Sequence, residues 1–89
     1  MAKTKKLYAE DIDGRVVSVF KSLKSTEQSD VELLSTDYLD QGLIDSLQIV
    51  EFIARLEKEF AIGFEATELE SERFRILRGV AAIIKNKLS

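Results

Sequence analysis

The 89-residue chain carries 13 Lys and Arg against 16 Asp and Glu, a formal net charge of −3, and has no cysteine, histidine, proline or tryptophan. The acidic balance argues against a nucleic-acid partner, whose phosphates need a basic face. The missing residues exclude disulfides, thiolate chemistry and imidazole catalysis, and they weigh against a structural zinc site.

The length sets one domain, residues 1–89, with a modest core; a chain this size buries only about 60–65% of its unfolded surface. Abundant Leu, Ile, Glu, Lys and Ala favour helices. Lys3, Lys5 and Lys6 give residues 1–7 the character of a solvated tail. Residues 8–24 then place Ile12, Val16, Val19 and Leu23 at helical spacing, with Phe20 beside them. The Asp-Ile-Asp-Gly run at 11–14 resembles the start of a calcium loop, but the later ligands are missing, so no metal site is assigned.

Residues 25–44 read as a long polar connection. Loops near twenty residues are uncommon unless pinned or functional. Val31, Leu33, Leu34, Tyr38, Leu39, Leu43 and Ile44 are the anchors expected to pin this one. Residues 46–60 give the strongest helix. Ile49, Ile53, Leu56 and Phe60 form its apolar stripe, Leu47, Val50 and Ala54 widen it, and Gln48, Glu51, Arg55, Lys58 and Glu59 take the opposite face. Gly63 is a candidate to close it. Residues 67–73 suggest a short third helix, with Thr67 and Glu70 at capping-box spacing. Residues 76–88 give a last helix with Ile76, Val80, Ile83 and Ile84 as its core face. The expected fold is all-α: a small four-helix bundle with a long first loop and a short third helix. No apolar run approaches a membrane span, and no secretory apolar core opens the chain, so a cytoplasmic monomer is expected.

Asp45 and Ser46 stand where the strongest helix begins. Both are favoured N-caps, and capping is the ordinary explanation of such a pair. The surrounding residues say more. Gly42, Leu43, Asp45, Ser46, Leu47, Glu51, Leu56, Glu57 and Phe60 resemble the phosphopantetheine attachment region of acyl carrier proteins, and the order of helices fits that family along most of the chain. The resemblance implies a carrier rather than an enzyme. It implies a phosphopantetheine arm joined through a phosphodiester to Ser46, supplying the thiol that the chain itself lacks. A helix N-terminus suits the phosphate of such an arm, with its free N–H groups and dipole favouring an anion. Asp45 is implied to assist the phosphopantetheinyl transferase, and Leu47 follows in the motif.

In the family, the exposed face of this helix meets partner enzymes. Gln48, Glu51, Arg55 and Glu59 recur at three- and four-residue steps and are the candidate partner face, touched by enzymes that load and unload acyl or aminoacyl groups. Arg55 and Lys58 depart from a uniformly acidic helix and suit intrahelical pairs with Glu51 and Glu59. The stretch between Phe60 and Val80 is longer than a fatty-acid carrier implies and resembles that of D-alanyl carrier proteins. The expected function is therefore a specialised acyl carrier in a lipid or secondary pathway. An aminoacyl carrier is the alternative, and a non-catalytic interaction domain with Ser46 as a mere cap comes third.

Overall fold

A computed structural model describes residues 2–89, with side chains from Ile12 onward. Five α-helices and one 3-10 turn follow in order: α1 Ala2–Leu23, α2 Asp30–Ser35, α3 Ser46–Phe60, α4 Ala66–Leu69, the 3-10 turn Glu72–Arg75, and α5 Leu77–Leu88. The all-α expectation holds. Among the described residues the only strand-like pairing is an isolated antiparallel bridge between Asp37 and Ile76.

Helix α1 is longer than its periodicity suggested. The stretch 2–7, expected as a tail, falls within its span, consistent with a run of Ala, Lys and Leu uninterrupted by glycine until Gly14. Helix α2 was not anticipated. Ser29 and Glu32 form a reciprocal capping box: the Glu32 N–H donates to Ser29 Oγ at 3.2 Å, and the Ser29 N–H donates to Glu32 Oε1 at 3.1 Å. That box nucleates one turn inside the supposed loop and buries Leu33. The expected third helix divides into α4 and the 3-10 turn. It is stabilised at Glu65 rather than Thr67, with the Glu65 N–H donating to Glu68 Oε1 at 2.8 Å. Gly63 does not close α3. Ala61 does so in a left-handed conformation (φ 55°), and the Ile62 N–H reaches back to the Glu57 carbonyl.

Helix α1 is the hub, packing against α2, α3 and α5, while α5 also takes α2 and the 3-10 turn. Gly79 permits the last contact, because a Cβ there would overlap the Arg73 carbonyl group. The core joins Ile12, Val16, Val17 and Phe20 of α1 to Leu33, Tyr38 and Ile44, to Phe52, Leu56 and Phe60 of α3, and to Phe74 and the inner face of α5. At its centre three rings meet. Phe20 and Tyr38 lie 5.4 Å apart, Phe20 and Phe52 5.5 Å, and Tyr38 and Phe52 5.8 Å, all tilted or edge-on. These are favourable quadrupole arrangements.

The phase of α3 differs from expectation. Phe52, Leu56 and Phe60 are the buried stripe, Ile49 and Ile53 flank it half-buried, and Leu47 and Val50 are 82% and 64% exposed. Val50 lies two residues from Phe52, about 200° around the helix, so the two cannot share a face. A ring packed between two other rings outweighs a wider aliphatic stripe. Phe52→Ala should therefore cost about 3–5 kcal/mol in urea or thermal unfolding, whereas Val50→Ala should stay within about 0.5 kcal/mol of the parent. Comparable losses would show the phase to be wrong.

The long connection is pinned by Leu33, Tyr38 and Ile44, with Leu34 and Leu43 half-buried, whereas Val31 and Leu39, also expected as anchors, stay exposed. The Tyr38 N–H donates to the Arg75 carbonyl at 3.1 Å, and its buried hydroxyl donates to the Phe74 carbonyl. Beside it, Arg75 Nε donates to Asp37 Oδ2 at 2.9 Å, and the Asp40 N–H donates to Asp37 Oδ1 at 2.8 Å. The guanidinium first, and then the Asp40 N–H, hold the Asp37 carboxyl below its ordinary range. A depressed folded-state pKa stabilises the fold above the unfolded value of about 3.9 and loses that effect as pH falls through the lower folded value. Asp37→Asn should thus lower the melting temperature at neutral pH, and the difference should shrink as pH falls below the ordinary carboxylate range. A difference independent of pH would rule out the charge as its source.

Candidate functional site

The site is built where the pinned connection delivers the chain to α3. Gly42 takes a left-handed conformation (φ 67°), which glycine adopts without steric cost, and donates its N–H to the Leu39 carbonyl. The Leu43 N–H donates to the Tyr38 carbonyl at 3.0 Å, and Ile44 drops into the core. Asp45 then turns out to solvent in extended conformation, and α3 begins at Ser46.

The pair divides its labour. Asp45 is the cap: the Gln48 N–H donates to its Oδ1 at 2.8 Å, and its own N–H donates to Gln48 Oε1 at 3.1 Å, closing a capping box. Ser46 is not a cap. It occupies the first helical position, exposed, and no group among the described residues bonds its hydroxyl. With Asp45 satisfying the Gln48 N–H, the free N–H groups of the first turn are those of Ser46 and Leu47, beside the hydroxyl. A phosphate ester on Ser46 would meet these donors and the positive end of a 15-residue helix. It would displace no existing bond, so the residues present fit the group that the sequence pattern implies.

The four residues expected to form one partner face are not equivalent. Gln48 is half-buried, committed to the capping box, and turned across to the Leu23 carbonyl at 3.4 Å. Arg55 pairs with Glu51 at 2.7 Å and reaches Ser22 of α1 at 3.0 Å. Glu59 is tied to Arg15 at 2.9 Å, whose guanidinium lies 4.5 Å from the centre of the Phe60 ring. Arg55 and Glu59 rim an open groove between α1 and α3 that Arg15, Ser22 and Lys58 also help to line. The expected intrahelical pair of Arg55 with Glu51 is present. Glu59, by contrast, pairs between helices with Arg15 rather than with Lys58. The most outward ridge of α3, next to Ser46, is instead Leu47, Val50 and Ala54, edged by Glu51. Sequence reasoning placed those apolar residues in the core. Their separation from Phe52, Leu56 and Phe60 by roughly half a turn was the signal that could have placed them outside.

A family model described as the phosphopantetheine attachment site matches residues 15–84, and the chain belongs to that family. It is a carrier protein and not an enzyme; its prosthetic group is covalently attached phosphopantetheine. It works with a phosphopantetheinyl transferase and with enzymes that load and remove its cargo. The D-alanyl carrier protein of Abiotrophia defectiva is 34% identical over 58 residues, which is 65% of this chain and 73% of that protein. No solved structure matches the chain.

The division of labour at the helix start is measurable. Asp45→Ala should lose about 1 kcal/mol of stability in urea unfolding. Ser46→Ala should stay within about 0.5 kcal/mol of the parent. The reverse order would make Ser46 the cap.

Proposed function

We propose that this protein carries an aminoacyl group as a thioester on a phosphopantetheine arm attached to Ser46. The attachment reading rests on one observation above others: Ser46 is exposed, its hydroxyl is unbonded among the described residues, and it begins α3 inside the Gly-Leu-Ile-Asp-Ser-Leu run, 42–47. An unactivated hydroxyl suits a residue modified by another enzyme. The arm, once in place, supplies a thiol to a chain without cysteine. Asp45 fixes the first turn and presents a carboxylate beside Ser46 for the transferase and its metal, and Leu47 offers an apolar contact beside the arm.

The cargo assignment is supported by the resemblance to the D-alanyl carrier protein. This relative favours the aminoacyl alternative over the lipid or secondary-pathway carrier first expected from the sequence. The partner face is the ridge of Leu47, Val50 and Ala54 with Glu51, because it surrounds Ser46 and is not held by another helix. Gln48, Arg55 and Glu59 contribute less, being occupied with α1. No helix among the described residues is long and apolar enough to cross a membrane; the protein is read as a cytoplasmic monomer.

Incubation with coenzyme A and a promiscuous phosphopantetheinyl transferase should add one phosphopantetheine mass to the parent and none to Ser46→Ala. Mass added to a folded Ser46→Ala would overturn the assignment. Offered an amino-acid-adenylating enzyme with D-alanine, or an acyl-CoA or acyl-adenylate donor, the holo protein should take the aminoacyl group faster. Preference for the acyl donor would restore the lipid reading. Leu47→Lys should slow loading several-fold while leaving the unfolding midpoint unchanged, and unchanged loading would remove the ridge from the partner face.

A further inference from the structure

The segment between α2 and α3 is held more firmly than a connection needs. Tyr38 is fully buried, and several independent contacts converge on it and its neighbour Asp37. Its ring meets Phe20 of α1 and Phe52 of α3. Its hydroxyl and its N–H bond the Phe74 and Arg75 carbonyls of the 3-10 turn. Its carbonyl accepts from the Leu43 N–H. Asp37 bridges Ile76 through the backbone and Arg75 through its side chain at 2.9 Å. From Leu43 only Ile44 and the capping residue Asp45 remain before Ser46.

This makes a continuous mechanical path. The 3-10 turn fixes Tyr38, Tyr38 fixes Leu43, the left-handed turn at Gly42 sets the direction, Ile44 anchors in the core, and Asp45 caps α3. The path has no slack residue that lacks either burial or a bond between Tyr38 and Asp45 other than the outer turn 39–41, which itself is closed by the Gln41 N–H on the Asp37 carbonyl. The 3-10 turn lies more than 25 residues from Ser46 in sequence, and nothing at Ser46 itself touches it in the bonds just described.

We propose that Tyr38 and Arg75 are positioning residues for attachment of the arm, holding the 36–45 segment against the 3-10 turn so that Ser46 stands in the orientation the transferase recognises. The proposal rests on Ser46 being the attachment site. In the modification step the Ser46 oxygen bonds the phosphorus that bears pantetheine in coenzyme A. The pyrophosphate P–O bond breaks, adenosine 3′,5′-bisphosphate leaves, and the serine proton is released. Neither Tyr38 nor Arg75 touches these atoms. Each acts through the fraction of molecules in which Ser46 is correctly presented. A reduced competent fraction raises the apparent dissociation constant by its reciprocal and leaves the step after binding unchanged.

The test is the steady-state kinetics of arm attachment on the full chain with a promiscuous phosphopantetheinyl transferase and coenzyme A. The variants are Tyr38→Phe, which keeps the ring and removes the hydroxyl, and Arg75→Gln, which breaks the exposed pair without disturbing the core. Ile83→Val, a buried change on α5 that makes none of the bonds of this path, is the stability control. Circular dichroism establishes that each is folded at the assay temperature. The expected result is a KM raised roughly threefold to tenfold for Tyr38→Phe, a smaller rise for Arg75→Gln, and an unchanged kcat for both. Ile83→Val should show parental values. If Tyr38→Phe does not fold, Arg75→Gln alone decides. A parental KM in Arg75→Gln, with a raised one in Tyr38→Phe, would overturn the role of Arg75 and keep that of Tyr38. Parental KM in every folded variant, or an equal rise in Ile83→Val, would overturn the proposal. Labelling of Ser46→Ala in the same assay would instead overturn the attachment site, and this proposal with it.

Discussion

The hydroxyl of Tyr38 bonds the Phe74 carbonyl, and the ring behind it packs between Phe20 and Phe52. A buried phenol must find a partner or carry the cost of desolvation, which is about 1–3 kcal/mol for a lost hydrogen bond at such a site. Burial, and then the neighbouring Asp37 charge, push the phenol's pKa far above its ordinary value, so the group stays a neutral donor across the working range of pH. One residue thereby joins α1, α3, the 3-10 turn and the connection between α2 and α3. Much of the bundle's geometry follows from that junction.

The first consequence is the rotation of α3. With Phe52 drawn against Phe20 and Tyr38, the helix turns Leu56 and Phe60 inward and Leu47 and Val50 outward. The same rotation brings Gln48, Arg55 and Glu59 to the α1 side, where Leu23, Ser22 and Arg15 engage them. The second consequence concerns Ser46. Asp45 satisfies the helix start, which leaves the serine hydroxyl without a structural task. A protein that carries cargo through a borrowed thiol needs such a residue: chemically ordinary, exposed, and fixed in place by its neighbours.

The all-α class, the strongest helix and the start at Asp45 and Ser46 were legible because each has a local cause: periodicity, composition and capping chemistry. What escaped had causes elsewhere in the chain. The α3 phase depended on Tyr38, fourteen residues away, because Ile49 and Ile53 alone fit an amphipathic stripe as well as Phe52 does. Helix α2 was within reach, since Ser29 and Glu32 carry the capping-box spacing, but the polar residues around them read as loop. The choice of Ala61 over Gly63 at the end of α3 ran against residue preference, because the left-handed turn falls where the Ile62 N–H can reach the Glu57 carbonyl. The candidate serine was therefore plain in the sequence, while the face presented around it showed only in the half-turn offset of Leu47, Val50 and Ala54 from Phe52, Leu56 and Phe60.

The Leu43 amide is the most direct probe of whether Tyr38 anchors the connection, because that N–H donates to the Tyr38 carbonyl two residues ahead of Asp45. Its exchange with deuterium can be compared in one native-state experiment with the helical amides of Leu56 and Ile84. If the connection is part of the cooperative core, Leu43 opens only with global unfolding and its protection matches theirs. Exchange at Leu43 orders of magnitude faster than at Leu56 and Ile84 would mean that the segment opens on its own, and that Tyr38 does not hold the approach to Ser46.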